Sequence, residues 1–220
     1  MRNGRFITFE GGEGAGKSTQ IQRLAASLRA HAREVVTTRE PGGTPLAEKL
    51  RGLILAGKAR DFGDFGEALL FSAARIDHID RIIRPALARG AFVLCDRFAD
   101  STRAYQGARG GADDQQLALL EKVTLDGVKP DLTFILDIAP EIGMERARRR
   151  RGPGAADRFE GEDLAFHAAL REKFLDIARD EPERCRVIDA ARTEDEVAEA
   201  LLAACQEKWP RLDADRKQWA

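Results

Sequence analysis

Short apolar runs alternate with longer stretches whose apolar residues return every three or four positions, and the alternation covers nearly the whole chain. The short runs lie at 6–9, 34–38, 91–95, 132–136 and 186–188. The longer ones lie at 17–30, 45–56, 66–88, 114–126, 140–150, 163–179 and 194–208, and their spacing predicts helices. Near-continuous apolar strands between such helices predict an α/β fold, a five-stranded parallel sheet covered by helices on both faces. Ligands of these sheets bind beyond the carboxyl ends of the strands. No repeat or linker divides the pattern, so 1–210 read as one domain, and the polar stretch from Trp209 leads into a tail at 211–220.

The first strand ends in the most specific motif. Gly11-Gly12-Glu13-Gly14-Ala15-Gly16-Lys17-Ser18 is a complete phosphate-binding loop, or P-loop, and Thr19 continues into a helical stretch. A strand entering a Gly-rich turn that opens a helix aims backbone N–H groups and the positive end of the helix dipole at one spot. The ligand such a site suits is the phosphate chain of a nucleotide. Lys17 can reach its β- and γ-phosphates, and the Ser18 hydroxyl can bind Mg²⁺.

Composition narrows the class. The 220 residues are 43% hydrophobic and 33% charged, as in a globular protein, and the net charge of −1 argues against general polyanion binding. No apolar run approaches a membrane span, and the first strand begins too early for a secretory segment. Cys95, Cys185 and Cys205 are odd in number and far apart, which suits a reducing cytoplasm. The three histidines have no metal spacing with them.

Three kinds of P-loop protein compete. A GTPase needs Asn-Lys-x-Asp, but the only asparagine is Asn3; a transporter ATPase needs Ser-Gly-Gly, which is absent. Phosphoryl transfer to a small acceptor remains, and it requires a second anion site. Residues 92–97 supply a candidate, an apolar strand ending in Asp96 and Arg97. Asp96 could hold Mg²⁺ through water and Arg97 could clamp a phosphate bidentately, or the two could form a strand-end salt bridge. Asp137 ends another apolar run and is a second candidate for the metal-side acid, ranked below Asp96 and read first as structural.

The motifs Thr38-Arg39-Glu40-Pro41-Gly42-Gly43-Thr44, Leu69-Leu70-Phe71-Ser72-Ala73-Ala74-Arg75, Asp96-Arg97-Phe98 and Ala104-Tyr105-Gln106-Gly107 resemble the signature set of thymidylate kinases, in family order, from about residue 5 to about 208. The one departure is Phe98, where the family usually has Tyr. The resemblance implies a P-loop nucleoside monophosphate kinase fold with a small Arg-rich lid, acting in the cytoplasm on ATP and dTMP. It implies Mg²⁺-assisted phosphorylation of dTMP to dTDP for dTTP synthesis, no nucleic-acid or membrane partner, and a homodimer. The alternatives are another pyrimidine monophosphate kinase (dUMP, UMP or CMP) or a catalytically weak nucleotide-binding module.

The resemblance also assigns the acceptor pocket. Phe71 and Arg75 share one helical face, which suits stacking on a pyrimidine and donation to its O4, or plain amphipathic packing; the family resemblance favours the base site. Pro41 and Leu53 would border the thymine methyl. Arg39, beside Glu40, would join Arg97 on the monophosphate. Glu13 would face the 3′-hydroxyl, and Tyr105 would gate against a 2′-hydroxyl. Ser101, Thr102 and Gln106 would be polar contacts, with the reader of N3 left open among them.

Arg146, Arg148, Arg149, Arg150 and Arg151 run into Gly-Pro-Gly, followed by Asp157-Arg158-Phe159-Glu160. Flanking Gly and Pro make this basic run read as a lid, at about 146–160, that brings arginine to the transferring phosphoryl group. The P-loop has no arginine of its own, the pattern of the bacterial kind. Arg148, Arg150 and Arg158 match arginines of bacterial relatives.

Overall fold

The computed structural model describes residues 4–31, 33–109, 113–152 and 158–212. Five strands, β1 (Arg5–Glu10), β2 (Val35–Arg39), β3 (Phe92–Asp96), β4 (Leu132–Asp137) and β5 (Cys185–Asp189), form one parallel sheet in the order β2-β3-β1-β4-β5. The helices among the described residues are α1 (Lys17–Ala30), α2 (Pro45–Leu55), α3 (Gly63–His78), α4 (Arg84–Ala88), α5 (Ala99–Arg109), α6 (Asp114–Leu125), α7 (Pro140–Arg151), α8 (Leu164–Asp180) and α9 (Glu194–Lys208). None is long and apolar enough to cross a membrane.

Strand side chains alternate between two cores because both faces are covered. Ile7, Phe9, Leu94, Phe134 and Leu136 pack with Leu24 and Leu28 of α1 and Leu201 of α9. Phe6, Val93 and Cys95 point the other way, to Ile79, Ile83 and Phe98, and Ile135 packs with Phe174 of α8. The strand ends are in register: Phe9 and Arg39 both pair with Asp96, and Asp137 pairs with Asp189. Glu10, Arg39, Asp96 and Asp137 therefore lie along one edge, where the phosphate-binding loop emerges.

Three elements differ from the sequence reading. The stretch 66–88 is not one helix: α3 passes through a π-helical turn at Ile79–Ile83 before α4. Pro85 lies in the first turn of α4, and the widened turn before it accommodates a ring that has no N–H to give. Helix α5 had no counterpart among the predicted helices, because its buried side includes Asp100 and Gln106 in place of an apolar stripe. Trp209 and Leu212 also belong to the core, Trp209 edge-on to Phe92. The rest of the predicted tail, 213–220, lies outside the described residues.

Candidate active site

Helices α2, α6, α8 and α9 begin with a side-chain cap, as when Thr44 caps α2 and Thr193 forms a capping box with Glu196 on α9. Helix α1 begins differently. Its N-cap is Gly16, at φ 87°, with no side-chain cap, so its first N–H groups are offered to an anion. Gly14, at φ 67°, lies so close to α7 that a Cβ would stand 1.9 Å from the Gly143 carbonyl oxygen. A Cβ on Gly143 would in turn stand 2.4 Å from the Glu13 carbonyl oxygen. Two glycines thus let α7 rest directly on the P-loop.

Lys17 folds back over this loop, its Nζ donating to the carbonyls of Gly11 at 3.1 Å and Gly12 at 2.8 Å. Burial, and then the nearby Arg97, lower its ammonium to about 8. Ser18 Oγ donates to Asp96 Oδ2 at 2.8 Å, joining the loop to the end of β3. Arg97 follows in a left-handed conformation, φ 67°. Its guanidinium donates to the Gly11 carbonyl at 3.0 Å, to Ser101 Oγ at 3.3 Å and to Glu13 Oε1 at 2.6 Å. It also lies 5.1 Å from the Tyr105 ring centroid, whose hydroxyl donates to the same Glu13 oxygen at 2.8 Å. Burial acts to raise the Glu13 carboxyl, but Arg97, Lys17 and the Tyr105 hydroxyl outweigh it and hold it at about 2.

Glu10, at the end of β1, was missing from the sequence reading. Its carboxylate accepts the Phe98 N–H at 2.8 Å and the Ser101 hydroxyl at 2.6 Å, bracketing Arg97 from behind. Burial, then the charge of Asp100, push it up to about 7. An acid closing an apolar strand beside the P-loop was the available signal.

On α3, Arg75 is 3% exposed and held on three sides. It donates to Glu40 at 2.6 Å, to the Phe98 carbonyl at 3.1 Å and to Thr102 Oγ1 at 2.9 Å. Glu40 is steadied by His78 Nδ1 at 2.9 Å, whose Nε2 reaches Thr38 Oγ1 at 2.6 Å. Glu40 is therefore a buried bracket for Arg75. Phe98 packs edge-on against Phe6, so this site is filled without the family's hydroxyl. Gln106 gives its amide N–H to Glu67 at 3.3 Å, and its Oε1 is buried with no partner.

One cavity of about 270 Å³ joins these groups. Glu13, Gly14, Ala15, Gly16, Lys17, Ser18, Asp96 and Arg97 line it at the P-loop end, and Arg39, Glu40, Pro41, Phe71, Arg75, Phe98, Ser101, Thr102, Tyr105 and Gln106 form much of the remaining wall. Leu53 is not brought there: it is 45% exposed, while Arg51 and Leu55, one helical turn apart on another face of α2, line the cavity. Arg51 and Leu55 carried no distinguishing sequence signal, and Phe159 and Glu160 entered the sequence reading only as part of the lid stretch.

Arg148, Arg149, Arg150 and Arg158 of the predicted lid separate into three groups. Arg148 and Arg149 are exposed and both pair with Glu145, outside the cavity wall. Arg158 is buried on Glu67 and lies over the Phe159 ring. Of the predicted lid arginines, only Arg150 lines the cavity, 3.5 Å from Glu160. Residues 153–157 of the predicted lid lie outside the described residues. Asp137 makes a two-pronged ion pair with Arg171, at 2.6 and 2.8 Å.

Comparison with known proteins agrees with this geometry. The family model for thymidylate kinase matches residues 9–201. The chain is 54% identical over 217 residues to a thymidylate kinase of Nitrobacter hamburgensis, covering 99% of this chain and 94% of that one. It is also 54% identical over 205 residues to one of Bradyrhizobium diazoefficiens, covering 93% and 90%. A solved thymidylate kinase of Ehrlichia chaffeensis superposes with a TM-score of 0.74 at 37% identity, covering 93% of this chain and 99% of that one. With a P-loop facing an arginine-lined cavity and matches spanning almost its full length, the chain belongs to the thymidylate kinase family.

Proposed function

We propose that the cavity seats dTMP with its base at Phe71 and Arg75 and its phosphate toward Arg97, Arg39 and the P-loop. The activity is that of the family, ATP-dependent phosphorylation of dTMP to dTDP. One observation supports the seating above all: the base-binding and phosphate-binding residues line the same cavity, so a single mononucleotide can touch both. ATP places its phosphates on the uncapped start of α1 and on Lys17. The attacking atom is an oxygen of the dTMP phosphate, already anionic near neutral pH, so no general base is needed. Alignment and charge neutralisation by Lys17, Arg97 and Arg150 then lower the barrier.

Within the pocket, Phe71 stacks on the thymine. Nε and Nη2 of Arg75 are engaged by Glu40, Phe98 and Thr102, and we assign Nη1 to O4. Gln106 Oε1, buried without a partner, is assigned to the N3–H. Pro41 and Leu55 border the methyl. Glu13 and Tyr105 meet the sugar.

Mg²⁺ fits the pair Ser18 and Asp96, whose oxygens already lie 2.8 Å apart at the mouth of the P-loop. Among the described residues no group of three His, Cys, Asp or Glu could hold a metal alone, so phosphate oxygens and water complete its shell. Bound there, the ion neutralises charge on the β- and γ-phosphates.

A second copy of the chain is the proposed partner. Leu69, Ala73 and Ile76 form an exposed stripe on α3, and Leu119 and Val123, 65% and 75% exposed, form another on the adjacent α6. The three free, buried cysteines fit the cytoplasm. The test of substrate is a coupled ADP-release assay with ATP, Mg²⁺ and each common nucleoside monophosphate. The expected result is dTMP as best acceptor; faster turnover of UMP, CMP or AMP overturns the seating.

A further inference from the structure

Beneath the base end of the cavity, Glu67 of α3 is 1% exposed and collects three donors, two from α5 and one from the segment after α7. Gln106 of α5 gives its Nε2–H at 3.3 Å, Arg109 gives an N–H at 3.1 Å, and Arg158 of the lid segment closes the cluster. A carboxylate flanked by two guanidiniums can only accept. The amide atom of Gln106 that faces it must therefore be the nitrogen. Flipping the amide would set two acceptors against each other in a site where Gln106 is also only 1% exposed. The oxygen is thereby left buried with no partner, on a side chain that lines the cavity.

We propose that Glu67 is a positioning residue for base selection: by accepting the Gln106 amide N–H it fixes the amide oxygen toward the base, so the pocket demands a donor there. Thymine and uracil present N3–H, a donor, whereas cytosine presents N3 as an acceptor. An acceptor-only carboxylate two bonds removed from the ligand thus turns a side chain of ambiguous polarity into a one-way reader. The inference rests on Gln106 reading N3, as assigned above.

The test compares dissociation constants of dTMP, dUMP and dCMP by calorimetry on the full chain. Glu67→Gln can offer either amide atom to Gln106, so the preference for dTMP over dCMP should fall about tenfold, the worth of one hydrogen bond. The dTMP-to-dUMP ratio, set by the methyl group, should not change, and Glu67→Asp, still acceptor-only, should keep dCMP excluded. Unchanged exclusion of dCMP in Glu67→Gln overturns the proposal, as does a parallel drift of the dTMP-to-dUMP ratio, which would mark general loosening. Gln106→Met separates the two layers. If it leaves the dTMP-to-dCMP ratio unchanged, the assignment of Gln106 itself fails; if it lowers that ratio while Glu67→Gln does not, only the role of Glu67 fails. Should Glu67→Gln not fold, the Gln106 side-chain N–H₂ signals of the ¹⁵N-labelled enzyme decide. Protection from exchange before and after dTMP binding supports the proposal, and free exchange without nucleotide overturns it.

Discussion

Arg97 donates to Glu13 at 2.6 Å, tying the turn after β3 to the middle of the P-loop. Both side chains are 16% exposed, so the pair is held in place yet open to a ligand. On the proposed seating, Arg97 aligns the acceptor phosphate while its own position is fixed by the P-loop. Arg97→Ala should weaken dTMP binding and slow turnover together, each by more than tenfold, because one guanidinium serves both. Leaving Glu13 half-paired should also lower stability by about 3 kcal/mol. Kinetics and melting measured side by side give the check. A change confined to melting would make Arg97 a strand-end salt bridge.

Tyr105 is 6% exposed, packed edge-on against Phe159 and Phe174, with its hydroxyl on Glu13. Tyr105→Ala should relax discrimination between deoxyribo- and ribonucleotide acceptors, whereas Tyr105→Phe keeps the ring and the gate. An unchanged ribo-to-deoxy preference in the alanine variant removes Tyr105 from the sugar site.

Glu10 gives a pH signature. Its carboxyl is raised from 4.5 to about 7, first by burial and then by Asp100, with Arg97 and the bonds from Ser101 and Phe98 opposing; its charge also bears on Lys17 and Cys95. The folded state then holds the proton more tightly than the unfolded chain between those values. Stability from this group is full below about pH 4.5 and is lost as pH rises to about 7, with a slope of at most about 1.4 kcal/mol per pH unit. Denaturant titrations from pH 4.5 to 8 on the wild type and Glu10→Gln should show the slope in the first and its loss in the second. Identical profiles would mean that Glu10 keeps an ordinary carboxyl.

The parts of the molecule with apolar periodicity were readable from sequence, and the parts organised by charge were not. Strands β1, β3 and β4 announce themselves because each is buried on both faces. Helix α5, which carries Ser101, Thr102, Tyr105 and Gln106, was invisible as a helix because its inward side serves the cavity and the ion pairs below it. Single residues were legible where a motif fixed them, as with Lys17 and Arg97. Leu53 was mistaken for a neighbour because only the phase of α2 decides that Arg51 and Leu55 face the cavity. Glu67 and Glu10 escaped notice because a buried acid is recognised by its partners, which lie 39 to 91 residues away.

Leu119 and Val123 should hold two copies together. Burying an exposed aliphatic side chain contributes about 1.5–3 kcal/mol, and a two-fold axis counts each residue twice. Val123→Glu should shift the protein toward monomer in analytical ultracentrifugation while leaving the fold's circular dichroism unchanged. Sedimentation identical to the wild type would place any interface elsewhere.

The arginines of the lid make the last prediction, and their positions now divide it. Arg150 lines the cavity beside Glu160, which on the proposed seating makes its charge available to the transferring group. Arg150→Ala should lower kcat at least tenfold while dTMP affinity stays close to wild type, the mark of an interaction made only in the transition state. Arg148→Ala and Arg149→Ala remove exposed pairs with Glu145, one turn away on the same helix, and should change little, within about 0.5 kcal/mol of stability. Arg158→Ala should act differently from both. It leaves the buried Glu67 with one guanidinium fewer, so its melting temperature should fall and any loss of kcat should follow from a misplaced lid. Measuring kcat, dTMP dissociation and melting for all four variants separates these outcomes. If Arg150→Ala turns over normally while Arg148→Ala does not, the lid reaches the phosphates in a conformation other than this one.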